Sequence, residues 1–449
     1  MVLLAPWRRS EQGVMSTEPI HAAACAKDAL AKARVRLLPF LCLLYLANYI
    51  DRINVSFASL QMNRELGFTP VIFGLGAGFF FVGYVACEIP SNLMLERVGA
   101  RRWIARIMIS WGIVSSAMMY TQGAKSFYIL RLILGAAEAG FFPGVILYLT
   151  YWFPRKERAR ATALFLTANA LANVIAGPAC GAILGMHGVL GFSGWQWLFL
   201  LEGIPSVVLG VVVLFYLPDH PGEAKWLSDS ERESLEVLLN CDRERDASSK
   251  HFRLGEALRG GRVWVLSASY VLMVFALYGV SFWLPRILKE FGTFTTLELG
   301  FLAAFPYVWG TVAVVLVAIS SDRTGERRWH LALASFAGAL GLMFAAQART
   351  PVVALLAFSL GTAGVWGMIG PFWSMPPDFL RGTAAAGGIA LINSVGHVGA
   401  FAGPVLMGYI RQFTDSFEGG LNVLAGALAV SGIMVLLFYR ATGSGAARD

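Results

Sequence analysis

Two pairs of charged side chains interrupt apolar stretches of this 449-residue chain. Asp51 and Arg52 lie in one stretch, and Arg131 and Glu138 lie in another. A charge at the depth of a bilayer costs at least about 2.5–3.5 kcal/mol, so it normally faces a protein interior or a water-filled cavity. These four residues therefore indicate a polar functional site inside a membrane protein.

The first pair belongs to a polar stripe. On a helix, Tyr45, Asn48, Tyr49 and Arg52 fall on one face because they are spaced three and four residues apart. Asp51 flanks this face by about 100°. The stripe predicts the wall of a cavity that binds a polar ligand.

The second pair shares a helix face, because Arg131 and Glu138 are two turns apart. A guanidinium group can hold a carboxylate through two parallel hydrogen bonds, which suits an organic acid. The pair has two interpretations: an anion-binding Arg beside a proton-carrying Glu, or a structural ion pair. The residues alone leave both open.

The composition indicates what must position these side chains. The chain is 57% hydrophobic and 14% charged, whereas soluble proteins are about 45–50% apolar and about 25% charged. The net charge of +8 does not indicate nucleic acid, because the basic residues recur between apolar segments. The five cysteines show no metal-ligand spacing. We expect a polytopic membrane protein without a cofactor or metal, and no enzymatic nucleophile set is evident.

Twelve apolar segments are long enough to span a bilayer. They lie near 36–60, 72–95, 103–122, 126–152, 160–187, 195–217, 262–288, 297–320, 329–347, 351–375, 384–410 and 420–439. The predicted fold is all-α, with twelve transmembrane helices in two pseudo-symmetric six-helix bundles.

The basic residues predict the orientation. With both termini in the cytoplasm, 27 of the 36 Lys and Arg residues fall on the cytoplasmic side and 6 on the other. The predicted organisation is a cytoplasmic tail 1–35, a bundle 36–217, a cytoplasmic linker 218–261, a bundle 262–440 and a tail 441–449. We expect the linker to be solvated, although Ser228 and Glu231 could form a capping box that opens a short helix.

An internal repeat supports the two bundles. ERVGARRW begins at Glu96, and DRTGERRW begins 226 residues later at Asp322. The same offset carries Gly177-Pro178 onto Gly403-Pro404. Duplicated six-helix halves are a known way to build a transporter around a site at the middle of the membrane.

The two loop motifs resemble the signature of the major facilitator superfamily, with Glu96 where Asp is usual. More narrowly, NYIDRINVSFA, EIPSNLMLERVGARRWIARIM, RLILGAAEAGFFPGVILYLTYWFPRKERARA and GTAAAGGIALINSVG resemble the anion:cation symporter branch. That branch includes bacterial tartrate, sugar-acid and aromatic-acid permeases, and the animal sialin and vesicular glutamate transporters. The resemblance covers about residues 36–440, and its nearest members are the tartrate-type permeases.

The resemblance implies a monomeric, multi-pass protein of the bacterial inner membrane that imports an organic carboxylate by proton symport through alternating access. It implies that Arg52 and Arg131 bind the substrate and that Asp51 and Glu138 couple it to protons. An incoming anion would compete for Arg52 and favour protonation of a nearby carboxylate, so substrate and proton would load together.

The other expected site residues divide into three groups. Further substrate-binding candidates are Tyr49, Tyr84, Tyr278, Trp373, Ser374 and Asn393. Gating candidates at the two basic loops are Glu96, Arg97, Arg101, Asp322, Arg323 and Arg327. Residues expected to be structural are Glu88, through a neighbouring backbone group or Asn92, Glu202, and His397 as a hydrogen-bonded packing residue.

Two other functions compete with symport. Asn173, Gly177-Pro178 and Gly181 partly resemble the motif of proton-coupled drug antiporters, although Arg52 and Arg131 suit an anion better than a lipophilic cation. A membrane enzyme or a nutrient sensor on a transporter scaffold is the third interpretation. It is disfavoured because the linker and tails offer no room for a large output domain.

Overall fold

The computed structural model describes residues 18–247, 261–376 and 383–439, which are helices joined by short loops. The first bundle contains α1 (Glu18–Glu65), α2 (Pro70–Val98), α3 (Ala100–Ala117), α4 (Ala124–Glu138), α5 (Phe141–Trp152), α6 (Arg155–Leu184) and α7 (Gly194–Tyr216). The linker contains α8 (Asp229–Ala247). The second bundle contains α9 (Gly261–Lys289), α10 (Thr296–Thr324), α11 (Arg328–Ala346), α12 (Pro351–Gly367), α13 (Ile369–Ser374), α14 (Thr383–Thr414) and α15 (Glu418–Phe438).

These helices confirm the predicted fold class. Helices α4 and α5 together form the fourth membrane segment, and α12 and α13 form the tenth, so the described residues supply twelve segments. Nine stretches of this described part are long and apolar enough by themselves to cross a membrane. The other three segments lie in α1, α3 and α6, which are richer in polar residues.

Large apolar side chains on the outside of both bundles mark the lipid-facing surface. Phe215, Leu316, Leu333 and Leu437 are each more than 60% exposed. A soluble monomer rarely leaves so much apolar surface uncovered. In a bilayer these side chains lie against lipid, so the exposure agrees with a multi-pass membrane protein.

The bundles meet most extensively along two helix pairs, α2 with α14 and α6 with α10, and α1 also contacts α9. A Cβ atom at Gly74 would lie 2.6 Å from the carbonyl oxygen of Pro404, so the approach of α2 to α14 requires glycine there. Gly177 and Gly300 bring the backbones of α6 and α10 together in the same way. These contacts lie toward the loops 66–69, 185–193 and 290–295. We call this the outer end, because the basic-residue count predicts that it faces away from the cytoplasm.

The linker helix α8 is docked rather than fully solvated. The expected capping box is present: the backbone N–H of Ser228 donates to Glu231 Oε2 at 2.9 Å, and that of Glu231 donates to Ser228 Oγ at 3.3 Å. Lys32 Nζ, on the inner extension of α1, donates to Glu231 Oε1 at 2.7 Å. The hydrogen bond from Lys32 and that from the Ser228 backbone lower the pKa of the Glu231 carboxyl group. Buried Leu235 and Leu239 complete the contact face of α8.

Candidate functional site

Helix α1 places Arg52 where the two bundles meet. Its Nε donates to Glu138 Oε1 on α4 at 2.9 Å, and its Nη2 donates to the same oxygen. Its Nη1 donates to the Tyr278 hydroxyl on α9 at 3.3 Å. Arg52 is only 8% exposed and Glu138 is fully buried. Arg52 therefore joins a buried carboxylate of one bundle to a hydroxyl of the other.

Arg131 does not pair with Glu138, although the two share a helix face. The Arg131 side chain is fully buried, and its Nε donates to the carbonyl oxygen of Gly76 at 3.3 Å. Its Nη1 and Nη2 have no hydrogen-bond partner among the described residues. Its guanidinium carbon lies 4.8 Å from the ring centre of Phe80 and 6.0 Å from that of Phe282. A buried guanidinium with two free donors is matched to a ligand carboxylate.

Aromatic rings form the walls around the two arginines. The guanidinium carbon of Arg52 lies 5.4 Å from the ring centre of Phe80 and 5.3 Å from that of Tyr84. The ring of Tyr278 lies 4.6 Å from that of Phe81. Such rings attract cations through their faces and lower the local dielectric, which strengthens the interaction of an arginine with an anion.

His397 on α14 joins this wall as the expected packing residue, but the expected hydrogen bond is absent from the described residues. Its ring lies 5.1 Å from that of Tyr84 in an edge-to-face arrangement. Both ring nitrogens are buried, and neither has a hydrogen-bond partner in the described part of the chain. His397 is therefore available to a ligand, which its position in a Gly-rich segment did not indicate.

Glu88 and Asn393 pair across the bundles. Asn393 Nδ2 donates to Glu88 Oε1 at 3.0 Å, so the partner of Glu88 is on α14 rather than at Asn92 or a neighbouring backbone group. Glu88 also lies within electrostatic reach of Arg52. The predicted substrate-binding amide of Asn393 is thus held by a carboxylate at the edge of the site.

Asp51 points away from Arg52, into the first bundle. Trp111 Nε1 donates to its Oδ2 at 2.8 Å, Ser206 Oγ donates to the same oxygen at 2.8 Å, and Ser115 Oγ donates to Oδ1 at 2.7 Å. The angular separation of neighbouring residues on a helix explains this divergence. The structure brings Arg52, Glu138 and Arg131 together, and it holds Asp51 in a separate network.

The remaining predicted ligand-binding residues lie at the margins. Tyr49 is buried, with its ring 6.5 Å from that of Trp366. Trp373 lies 5.1 Å from the ring of Tyr270. The Ser374 hydroxyl donates to a carbonyl of its own helix at 2.9 Å. Tyr270 was not among the predicted site residues, although it lies two turns before Tyr278 on α9.

The gating candidates lie at the inner ends of the helices. The backbone N–H of Arg101 donates to Asp219 Oδ1 at 2.7 Å, and Arg327 donates to the carbonyl oxygen of Ser374. The exposed members of the set are Glu96, Arg97, Asp322 and Arg323. Each of the two contacts joins elements of one bundle, so a gate between the bundles stays a prediction.

Comparisons with known proteins agree with this architecture. The model of the Major Facilitator Superfamily matches residues 41–404. The chain is 49% identical over 411 residues to an Agrobacterium vitis protein named "Putative tartrate transporter", covering 92% of this chain and 94% of that one. It is 38% identical over 413 residues to a quinolone resistance transporter of Acinetobacter baumannii, covering 92% and 95%. A solved structure of the xylose transporter XylE from E. coli, in a partially occluded inward-open conformation, superposes with a TM-score of 0.72 at 14% identity, covering 92% and 99%.

The chain belongs to the Major Facilitator Superfamily. It is a multi-pass membrane transporter of a small molecule, not an enzyme.

Proposed function

We propose that this transporter imports an organic carboxylate anion together with protons, by alternating exposure of the site around Arg52 and Arg131. One observation carries the proposal: the buried guanidinium of Arg131 has two unpartnered donors beside an Arg52–Glu138 ion pair. The arrangement provides one cation for a ligand and one cation already held by a carboxylate.

Binding begins at Arg131. A substrate carboxylate accepts two parallel hydrogen bonds from Nη1 and Nη2, the geometry that guanidinium groups and carboxylates share. Tyr278 and His397 line the other side of the site and can bond to hydroxyl groups or to a second carboxylate of the substrate. This combination suits tartrate or a sugar acid.

Coupling follows from the charges. With all groups ionised, Arg52 and Arg131 balance Glu138 and Glu88, so an added anion leaves an excess negative charge in a buried site. The anion also competes with Glu138 for Arg52. A proton on Glu138 offsets one added negative charge, so substrate and proton each favour the binding of the other. Asp51 is the weaker candidate for the proton carrier, because four side-chain donors, three of them at 2.7–2.8 Å, already hold its carboxylate away from Arg52.

The A. vitis relative supports the carboxylate class through its name and its 49% identity. The bacterial relatives also support placement in a bacterial inner membrane. We expect both termini in the cytoplasm, from the basic-residue distribution, and a monomer.

Uptake into proteoliposomes tests this function. The panel is tartrate, a hexonate, a hexuronate and an aromatic acid, each with and without an inward proton gradient. We expect gradient-dependent accumulation of at least one acid. If no acid accumulates under either condition, the proposal is wrong.

A proton-coupled drug antiporter is the second candidate, favoured by the 38% identity to the quinolone resistance transporter. The partial antiporter motif adds little, because Gly177 and Gly181 are explained by the close packing of α6 on α10. A quinolone and a lipophilic cation therefore belong in the same panel. Efflux of either against the proton flux, without uptake of any acid, would establish the antiporter.

A further inference from the structure

A cavity lies at the outer end, between the last turns of α1 and α9. It is separate from the site around Arg52 and Arg131, which we call the arginine site. The volume of this cavity is about 410 Å³, within the range of small-molecule sites. We call it the outer vestibule; its lining residues include Asn63, Arg64, Phe68, Arg286, Lys289 and Glu290. Arg64 and Lys289 are exposed, so the vestibule opens to solvent.

Three cations line the vestibule without a carboxylate at ion-pair distance in the described part of the chain. These are Arg64, Arg286 and Lys289. Glu290, the acidic residue of the wall, is held instead by Arg411, whose Nη2 lies 2.8 Å from Glu290 Oε1. The vestibule therefore carries an excess of positive charge, and the same sign of charge on one concave wall concentrates anions from solution.

Cations in the last turn of a helix also have a simpler explanation, because they stabilise its dipole. The environment of Asn63 is a separate observation that favours a bound ligand. It is only 4% exposed and lines the vestibule, and both its amide nitrogen and its amide oxygen lack hydrogen-bond partners among the described residues. Burying an amide without hydrogen-bond partners costs free energy, and the helix dipole does not explain why Asn63 is buried in this way. A ligand carboxylate would accept a hydrogen bond from its Nδ2.

The vestibule is built from equivalent positions of the two bundles. The offset of 226 residues that separates Arg52 from Tyr278 also relates pairs of vestibule positions. These pairs are Leu60 with Arg286, Asn63 with Lys289, and Arg64 with Glu290. The vestibule and the arginine site therefore lie between the same two helices at different depths.

A polar face of α1 links the two depths. Arg52, Ser56, Ser59 and Asn63 are spaced four, three and four residues apart, so they share one face over about 16 Å. Between the two levels, Ser56 lines a small gap together with Ser281 of α9. An anion held at Asn63 thus lies at the outer mouth of a path toward Arg52.

We propose that the outer vestibule is a second anion-binding site, which captures a small carboxylate from the outer solution before it reaches Arg131. The ligand class rests on the proposed function, whereas the vestibule itself is defined by its own residues. Substrate fills this site directly only from the outer solution, so its loss raises KM for uptake and not KM for efflux. The vestibule differs in this respect from the arginine site, which binds substrate from either side of the membrane during alternating access.

The test compares the double variant Arg286→Gln/Lys289→Gln with the wild type, in uptake and in efflux of tartrate, at about 20 mM and about 200 mM ionic strength. We expect KM for uptake to rise at least about fivefold at low ionic strength with an unchanged turnover number. The two proteins should converge at high ionic strength, where exposed charges are screened. KM for efflux should not change; the turnover number for efflux should fall instead, because the ratio of kcat/KM in the two directions is fixed by the equilibrium of transport.

The matched control is Lys125→Gln/Arg349→Gln, which removes two basic residues of the same end that do not line the vestibule. An equal rise of KM in this control would assign the effect to the overall charge of the surface and overturn the proposal. An equal rise of KM in uptake and in efflux, or no change of either KM, would also overturn it.

A binding measurement separates this proposal from the proposed function. In the Arg131→Ala variant, tartrate should still raise the melting temperature of the purified protein, and adding Arg286→Gln/Lys289→Gln should remove that stabilisation. If Arg131→Ala alone removes it, the vestibule does not bind the anion. This result does not depend on whether any acid is transported.

Discussion

The two bundles share a fold and differ in the chemistry that they bring to the central site. At positions 226 residues apart, the first bundle has Arg131 and Glu138 where the second has Ala357 and Gly364. Likewise, Arg52 corresponds to Tyr278, and these two side chains meet in a hydrogen bond. All ionised side chains that we place at the site belong to the first bundle.

The difference indicates a division of labour. The first bundle holds the charges on which anion binding and proton coupling depend. The second bundle contributes neutral donors and rings, such as Tyr278 and His397, which can select among acids. Substitutions at the site in the first bundle should therefore abolish transport or uncouple it from protons, and substitutions in the second should change which acids are preferred.

The largest effect is expected from Arg131→Gln. It removes two hydrogen bonds from a charged donor, each worth about 1.5–3 kcal/mol, so kcat/KM for uptake should fall at least about a hundredfold. The protein should remain folded, because the change removes a buried charge that has no carboxylate partner in the described structure. Uptake kinetics and a melting curve measure both effects.

The matched control for this variant is Arg106→Gln. Arg106 is also an arginine of a membrane helix in the first bundle, but it lies 4.0 Å from the ring centre of Trp103 and faces away from the site. Its replacement should change kcat/KM by less than about threefold, as expected for a partly exposed side chain. Equal losses in the two variants would contradict the assignment of Arg131.

The second effect is loss of coupling in Glu138→Gln. Gln can still accept a hydrogen bond from Arg52 but cannot carry a proton. Accumulation driven by an inward proton gradient should disappear, while exchange of labelled for unlabelled substrate continues. If Glu138→Gln keeps its proton dependence and Asp51→Asn loses it, the coupling residue is Asp51.

A smaller effect is expected in the second bundle. Tyr278→Phe removes one neutral hydroxyl, worth about 1 kcal/mol, so KM for the preferred acid should rise about fivefold. His397→Asn should change the ranking of acids in the panel. Neither variant should alter the dependence on the proton gradient, and loss of that dependence in either would break the comparison between the bundles.

The smallest effect is expected at the linker, outside the membrane. Glu231→Gln removes the ion pair with Lys32, in which the lysine is exposed and the carboxylate is largely covered, and a pair that is partly open to solvent contributes up to about 1 kcal/mol. Because the pKa of Glu231 is lowered in the folded state, the pair stabilises the protein above the ordinary carboxyl pKa of about 4.3. This contribution is lost as the pH falls through the lowered value. Melting temperatures of the variant and the wild type should differ at pH 7 and converge only once the pH is below the lowered pKa of Glu231; a difference that does not shrink as the pH falls below the ordinary carboxyl pKa would contradict the account.

The sequence predicted the helices better than the contacts between them. Apolar segment lengths determined the twelve spans, and the Ser228–Glu231 capping box is local, so both could be predicted. Helical spacing also put Arg131 and Glu138 on one face. It could not reveal that Glu138 pairs with Arg52 of another helix, because packing between helices depends on the whole bundle.

The same reason explains His397 and Asp51. Nothing in a Gly-rich segment indicates that the His397 ring meets Tyr84 of the other bundle. For Asp51, the offset of about 100° from Arg52 is visible in the sequence. The sequence does not show that donors on α3 and α7 hold the Asp51 carboxylate, because that contact depends on how the helices pack.

The central claim is that substrate binding displaces Glu138 from Arg52 and that Glu138 then takes up a proton. The most direct test is the pH change on adding the transported acid to purified protein in weakly buffered solution, for the wild type and for Glu138→Gln. The account predicts uptake of about one proton per bound substrate by the wild type, and binding without proton uptake by Glu138→Gln. Binding to the wild type without proton uptake, or equal uptake by both proteins, would contradict it.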